Sequence, residues 1–313
     1  MSGIILLMSL PNSQPTLENI SLLRRWWLAI RPRTLPAAGS PVLIGFAVAW
    51  SVGKFRWLPA LIILVCALLL QILANLVNDV GDFQKGTDTS GRLGPTRVTH
   101  SGLLSPRQVW LGVGVVILVC LAGGAYLAWV GGWPVLVMGG AAILGAILYT
   151  IGPFSMSDYG TGDLFALVFF GLVAVCGTTF ILTGEVYPLS WAGGAGAGAL
   201  VTAILVVNNV RDIESDRRAG RRNIPVVWGR KAGEVEYLLM LVLAMSVPVA
   251  ALALGWGNGW ILLPLLSLPR AMQLLQRMRR LPAGPGFNKL LASTAQLVLL
   301  YCVLFSAGVL LGG

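Results

Sequence analysis

Nine times along this chain, an apolar stretch long enough to cross a bilayer is broken only by Gly, Pro or a cluster of charge. The stretches lie at about residues 30–51, 57–78, 108–130, 133–151, 163–183, 188–209, 236–255, 258–275 and 289–311. A helix needs about 20 such residues to span the hydrocarbon core. Lipid offers no partners for backbone N–H and C=O groups, so runs of this kind cross as helices. The expected fold is all-α: a polytopic membrane protein, a bundle of about nine transmembrane helices around a central cavity opening to the cytoplasmic side. Residues 1–23 read as a flexible amino-terminal tail, and 24–313 as a single transmembrane domain. The apolar stretch Ile4–Leu10 is short and has no basic residue before it, unlike a cleaved signal. Charged residues make up only 11% of the chain, against about 25% in a soluble domain, so much of the apolar surface must face lipid. The 39 glycines suit the close backbone approach that helix packing in lipid requires.

The basic residues sort by side. All 22 Lys and Arg except Lys54 and Arg56 fall in the amino-terminal segment up to Arg33, in the connections after spans 2 and 6, or between Arg270, near the end of span 8, and Lys289, where span 9 begins. Cytoplasmic connections carry such an excess. The amino terminus is therefore expected in the cytoplasm and the carboxyl terminus outside, in the cell inner (plasma) membrane. The net charge of +10 fits contact with anionic lipid. No nucleic-acid partner is expected, because no soluble module interleaves basic and aromatic residues. His100 is the only histidine, which excludes a His-based triad or a His-rich metal site. Cys66, Cys120, Cys176 and Cys302 all lie in apolar runs without metal-ligand spacing and read as inert thiols.

Six of the twelve acidic residues gather in two places. Asn75, Asn78, Asp79, Asp82, Lys85 and Asp88 leave span 2; Asn208, Asn209, Arg211, Asp212, Glu214 and Asp216 leave span 6. Residues four apart share a helix face, so Asn78–Asp82, Asn75–Asp79 and Asn208–Asp212–Asp216 form rows. Like charges in such a row repel and call for a neutralising partner. Mg²⁺ fits, since it favours oxygen ligands and completes its shell with water and substrate phosphate. Basic residues flank both rows, as a metal–diphosphate requires. The alternative is ordinary loop charges and helix caps. Two matching rows at the same end of spans 2 and 6 argue against it, because ionisable groups at a membrane edge mark function.

These residues resemble the UbiA-type family of membrane prenyltransferases. The matching pieces are Asn78-Asp79-x-x-Asp82 after the second helix and Asp212-x-x-x-Asp216 after the sixth. Where the family has a last Asp in the first motif this chain has Gly86, and Asp88 follows two residues on. Residues 75–102, Arg31 to Pro36, Tyr149 to Pro153, Asn208 to Gly229 and Thr294-Ala295-Gln296 are similar to the branch that prenylates 1,4-dihydroxy-2-naphthoate.

The resemblance implies transfer of a polyprenyl group from polyprenyl diphosphate to that aromatic acceptor. The ring loses its carboxylate and demethylmenaquinone forms. It implies Mg²⁺ held by Asn78, Asp79, Asp82, Asn208, Asp212 and Asp216, with Asp82, Asp212 and Asp216 central to the chemistry. Arg33, Lys85, Arg92, Arg97 and Arg211 would bind the diphosphate. Tyr149, with Phe169 or Phe170, would shield the allylic cation. Asp163 would orient or deprotonate the acceptor, or else cap the fifth span. Other acceptors, 4-hydroxybenzoate or homogentisate among them, and a phytyl donor stay open, as does a membrane transporter. A transporter would place charge near the midplane rather than at the helix ends.

Overall fold

The computed structural model describes residues 20–86, 94, 97–152, 155–282 and 284–313. Among them every regular element is helical. Helix α1 (Leu22–Ile30) is followed by α2 (Leu35–Ser51), α3 (Trp57–Gln84), α4 (Pro106–Gly131) and α5 (Trp133–Leu148). Two short helices, α6 (Met156–Tyr159) and α7 (Gly162–Phe165), lead through a π-helical stretch, Ala166–Val173, into α8 (Ala174–Thr183). Then come α9 (Pro188–Arg211), α10 (Ile213–Arg218), α11 (Ile224–Trp228) and α12 (Arg230–Ala253). A 3-10 run, Gly259–Ser267, precedes α13 (Leu268–Arg280), and α14 (Gly286–Gly312) closes the chain.

The boundaries follow local chemistry. Pro106 opens α4 behind Ser105, whose hydroxyl accepts from Gln108 N while Gln108 Oε1 accepts from Ser105 N, a reciprocal capping box. Gly132, at φ 80°, reverses the chain between α4 and α5 in one residue, a conformation that L side chains rarely adopt. Asn223 caps α11 by accepting from Val226 N at 3.0 Å.

Seven helical segments are long and apolar enough to cross a membrane. They are Leu22–Ser51, Trp57–Gln84, Pro106–Gly131, Gly162–Thr183, Pro188–Arg211, Arg230–Ala253 and Gly286–Gly312. Two of the nine expected spans differ from these. The segment 133–151 yields α5, only 16 residues long, and 258–275 yields the 3-10 run and the first part of the basic helix α13.

The chain shuttles between two ends. Asp82, late in α3, and Asp212, after α9, mark a polar end. At the far end Lys54 donates to Thr183 O, and Arg56 to Ile181 O. The 11 tryptophans, residues 26, 27, 50, 57, 110, 129, 133, 191, 228, 256 and 260, all lie near one end or the other. Trp concentrates at both membrane–water interfaces, so the two ends are the two faces of a bilayer. Between them Leu111, Val115 and Leu118 of α4 stand outward, each more than 60% exposed, which lipid tolerates and water penalises.

The largest core cluster joins α2, α9, α12 and α14, around fully buried Tyr237, Tyr301, Phe287 and Phe305. A second joins α3 and α4 with the 98–104 turn. Against α9 the π-helical stretch comes extremely close: a Cβ on Gly171 would stand 2.4 Å from Gly194 O and 2.5 Å from Gly198 Cα. Three glycines at that crossing let the backbones touch, and this fixes where the π stretch and α7 present their side chains.

Candidate active site

A cavity of about 450 Å³ opens among α2–α9 and α14. Its polar end is lined by Asn78, Asp82, Asn208, Asn209, Asp212 and Asp216, with Arg31, Arg33, Arg97, Arg211 and Arg221. The rest is apolar and reaches Ile63, Cys66, Leu127, Val135 and Ile181 near the far end. Asp82 and Ile63 are 19 residues apart on one helix. At 1.5 Å rise per residue the lining therefore extends about 28 Å.

The two acidic rows meet across this end. Arg221 donates from Nη2 to Asp82 Oδ1 at 2.7 Å and from Nη1 to Asp216 Oδ1 at 3.1 Å, so one guanidinium bridges the exits of α3 and α9. Arg97 donates to the other oxygen of Asp82, in a buried pair. Asn223 donates to Asp216 Oδ2 at 2.9 Å. Asp212 takes a two-pronged contact from its neighbour Arg211, 2.8 Å from Nε and 2.6 Å from Nη2, while Arg211 Nη1 reaches Asn288. Burial pushes the Asp216 carboxyl above the usual carboxylate range; Arg221 pulls it down and the charge of Asp212 pushes it further up.

The helical rows hold in space. Asp212 N donates to Asn208 O, and Asp216 N to Asp212 O, so the one-residue kink at Asp212 keeps all three side chains on the cavity. Asn78 and Asp82 share the cavity face of α3. The Asn78 amide oxygen accepts from Thr150, beside Tyr149. Tyr149 and Phe165 lie 5.9 Å apart between ring centres, and Phe165 stacks on Phe169 at 4.4 Å. These three rings, with Phe170, line the wall next to the acids. Asp163 lines the cavity as well.

Two expected site residues point elsewhere. Asp79, expected as a metal ligand, does not line the cavity. Its carboxylate accepts from Thr99 N at 2.9 Å, Val98 N at 3.1 Å and Arg31 Nη2 at 3.3 Å, and is fully buried. Lys85, expected on the diphosphate, instead donates to Asp158 Oδ2 at 2.6 Å and Ser155 at 3.0 Å. Arg33 lines the cavity at an exposed position. Asp88 and Arg92 lie outside the described residues.

Arg31 and Thr150 fall in stretches that resemble the naphthoate branch, but sequence pattern gives no role to them or to Asn223, nor to Arg221 its bridging role. Arg31 carried one readable signal, the Arg-Pro pair that ends α1. Its backbone is left-handed, at φ 53°, which few side chains adopt without support. Glu236, on α12, is buried behind Asp163 and also carried no motif.

The donor set fits a hard divalent cation. It is made of carboxylate and amide oxygens, with no sulfur or imidazole. Among the described residues, no three His, Cys, Asp or Glu groups form a metal cage by themselves. Such a site leaves much of the shell to water and phosphate oxygens, which is how Mg²⁺ is commonly held.

Comparison with known proteins agrees with this geometry. Residues 38–284 match the model of the UbiA prenyltransferase family. The chain is 34% identical to the 1,4-dihydroxy-2-naphthoate octaprenyltransferase of Escherichia coli (strain K12), over 95% of this chain and 98% of that protein. It is 32% identical to the Homo sapiens UbiA prenyltransferase domain-containing protein 1, over 91% of this chain and 82% of that protein. A solved UbiA homologue from Archaeoglobus fulgidus, bound to DMAPP and Mg²⁺, superposes with a TM-score of 0.65 at 15% identity, covering 90% of this chain and 99% of that one. With two acidic rows facing each other over an apolar cavity inside a helical membrane bundle, the chain belongs to the UbiA prenyltransferase family.

Proposed function

We propose that this protein transfers a polyprenyl group from polyprenyl diphosphate to 1,4-dihydroxy-2-naphthoate, with loss of the ring carboxylate, to give demethylmenaquinol, the reduced form of demethylmenaquinone. One observation carries the reading: Asp82 and Asp216, from separate helix exits, share Arg221 at the polar mouth of a long apolar cavity. An ionic head and a long hydrocarbon tail match those two halves. The naphthoate acceptor rests on relatives that bear that activity in their names at 31–34% identity over most of the chain.

Asn78, Asp82, Asn208, Asp212 and Asp216 would hold Mg²⁺. When bound, the metal supplies positive charge for the leaving diphosphate. Asp79 falls out of this set because its carboxylate is turned away from the cavity, onto the Val98 and Thr99 N–H groups. Arg33, Arg97, Arg211 and Arg221, all lining the cavity, would take the remaining diphosphate oxygens. Three of these, Arg97, Arg211 and Arg221, now rest on carboxylates, so ligand binding would redistribute them from acid to phosphate. Tyr149, Phe165 and Phe169 offer ring faces to the allylic carbon and keep water from it. The prenyl chain would lie along the apolar lining, where each buried methylene contributes about 0.8 kcal/mol.

The basic polar end would face the cytoplasm, with α5 and the 259–280 segment crossing alongside the seven longer helices. Replacing Asp82 or Asp212 by Ala should lower prenyl transfer in membranes at least about 10²-fold, the scale of losing one charge-stabilising group. Normal turnover in both variants would refute the metal assignment. Offered dihydroxynaphthoate, 4-hydroxybenzoate and homogentisate in turn, membranes containing the protein should prenylate only the first. Preference for another ring would overturn the acceptor.

A further inference from the structure

One acid pair at the cavity is not used by the diphosphate chemistry. Asp163 stands on α7 and lines the cavity close to Tyr149, whose hydroxyl lies over the adjacent Gly162. The Asp163 backbone carbonyl accepts from Thr202 Oγ1 at 3.2 Å, which ties this turn to α9. Behind it Glu236, on α12, is only 8% exposed and does not line the cavity. The two carboxyl groups lie close enough to interact directly with each other. Asp163 Oδ1 and Glu236 Oε2 are both fully buried, and no N–H or O–H donor among the described residues reaches either.

Asp82, Asp212 and Asp216 each have an arginine. For Asp163 and Glu236 no ion pair stands among the described residues. Two bare carboxylates in contact would repel strongly, and buried acceptors without donors are costly. A single proton held between the two groups removes both problems.

We propose that Asp163 and Glu236 share one proton and form the relay that handles the hydroxyl proton of the aromatic acceptor. Asp163 is the catalytic residue facing the ring, and Glu236 is the positioning residue behind it. The step rests on the naphthoate reading. The ring carbon that bears the carboxylate attacks the allylic carbon while the bond from that carbon to the diphosphate oxygen breaks. The electron pair of the ring–carboxylate bond returns to the ring as carbon dioxide leaves. The negative charge lost from the carboxylate departs on the diphosphate, so no proton is consumed overall. The ring attacks best while its hydroxyl proton is held elsewhere. The pair takes that proton, becomes two neutral acids, and returns it to the ring oxygen once carbon dioxide has gone. It ends as it began, with no external acid or base.

The test is steady-state kinetics on full-length protein in membranes, with Mg²⁺, polyprenyl diphosphate and dihydroxynaphthoate. Glu236→Gln keeps the shape and a hydrogen bond to Asp163 but cannot share the proton. It should lower kcat at least about 10-fold, and Asp163→Asn about 10²-fold, the range of proton-transfer catalysis. KM for the prenyl diphosphate, and Mg²⁺-dependent binding of labelled prenyl diphosphate, should stay within about 2-fold, since that half of the site is untouched. Wild-type kcat in E236Q overturns the proposal. So does a loss expressed only in the diphosphate KM or in thermal stability, which would make the pair structural. Where E236Q does not accumulate, D163N decides by the same readouts: a fall in kcat alone upholds the pair, and wild-type kcat overturns it. If the wild-type protein prefers another ring, the naphthoate reading fails on its own. The pair is then judged by the kcat of both variants with that ring: a loss upholds it, and unchanged turnover overturns it.

Discussion

At the scale of single residues, helix geometry separates acids that look alike in sequence. Asp79 and Asp82 sit in one motif, yet Asp79 is turned about 100° around the helix from Asn78, while Asp82 lies about 40° from it. Asn78 and Asp82 therefore meet the cavity, and Asp79 meets the backbone of residues 98 and 99. Asp79→Ala would take the acceptor from the buried Val98 and Thr99 N–H groups and remove one contact of Arg31. A cost of about 3–5 kcal/mol is expected for such a broken buried network, read as a lower melting temperature in detergent. Retained stability with weakened Mg²⁺ dependence would instead make Asp79 a ligand. Arg221 shows the opposite limit of the sequence. It is one of several arginines after α9, and nothing in their spacing says which one reaches Asp82, 139 residues earlier. Its planar fork serves two carboxylates at once, which a lysine point charge cannot do. Arg221→Lys should lower kcat/KM for the diphosphate about 10–100-fold with the charge conserved. Wild-type kinetics in this variant would show that net charge suffices.

At the scale of elements, the apolar runs and their breakers were legible because bilayer thickness dictates their length, and each long helix falls where such a run does. Less legible were the pieces that shape the polar end. The π-helical stretch 166–173 is continuous with ordinary helical sequence, and it depends on Gly194 and Gly198 of a neighbouring helix. The α6 turn gave no signal either, and it is what claims Lys85. Burial alone would raise the Asp158 carboxyl, but the hydrogen bonds from Lys85 and Ser155 and the charges of Lys85 and Arg221 outweigh it and hold it below its ordinary value. A carboxylate lowered by folding stabilises the fold above its unfolded value, and that stability is lost as pH falls through the folded value. The contact between α3 and α6 should thus be intact at neutral pH and loosen only under acid conditions, below the usual carboxylate range. Asp158→Asn should loosen it at neutral pH already, seen as faster amide hydrogen exchange over residues 155–160 after correction for intrinsic rates. Equal protection in the variant would mean that the tie between Lys85 and Asp158 holds nothing.

At the scale of the whole molecule, charge and chain direction give independent readings of orientation. The sequence puts 20 of the 22 basic residues on one side. The fold puts the exits of α3 and α9, and with them the acid rows, at that same end. It also carries the last residues away from it: Gly313 abuts Ser51, where α2 ends, and Gly312 O accepts from Asn258 at 3.2 Å. Helix α1 stays at the polar end, because Asn75 donates to Ile30 O at 2.9 Å. The described chain therefore starts on one face and finishes on the other, which requires an odd number of crossings. Seven long helices satisfy this, and so do nine once α5 and the 259–280 segment are counted as crossing. Either count leaves the termini apart, so the prediction does not depend on it. If the basic face lies in the cytoplasm, as proposed above, a carboxyl-terminal alkaline phosphatase fusion in a bacterial host should be active and a carboxyl-terminal green fluorescent protein fusion dark. The same reporters placed after residue 220, in the connection beside the acid rows, should read the other way. A bright carboxyl-terminal fluorescent fusion would reverse the orientation and move the diphosphate site to the outer face, where cytoplasmic Mg²⁺ and prenyl diphosphate could not reach it.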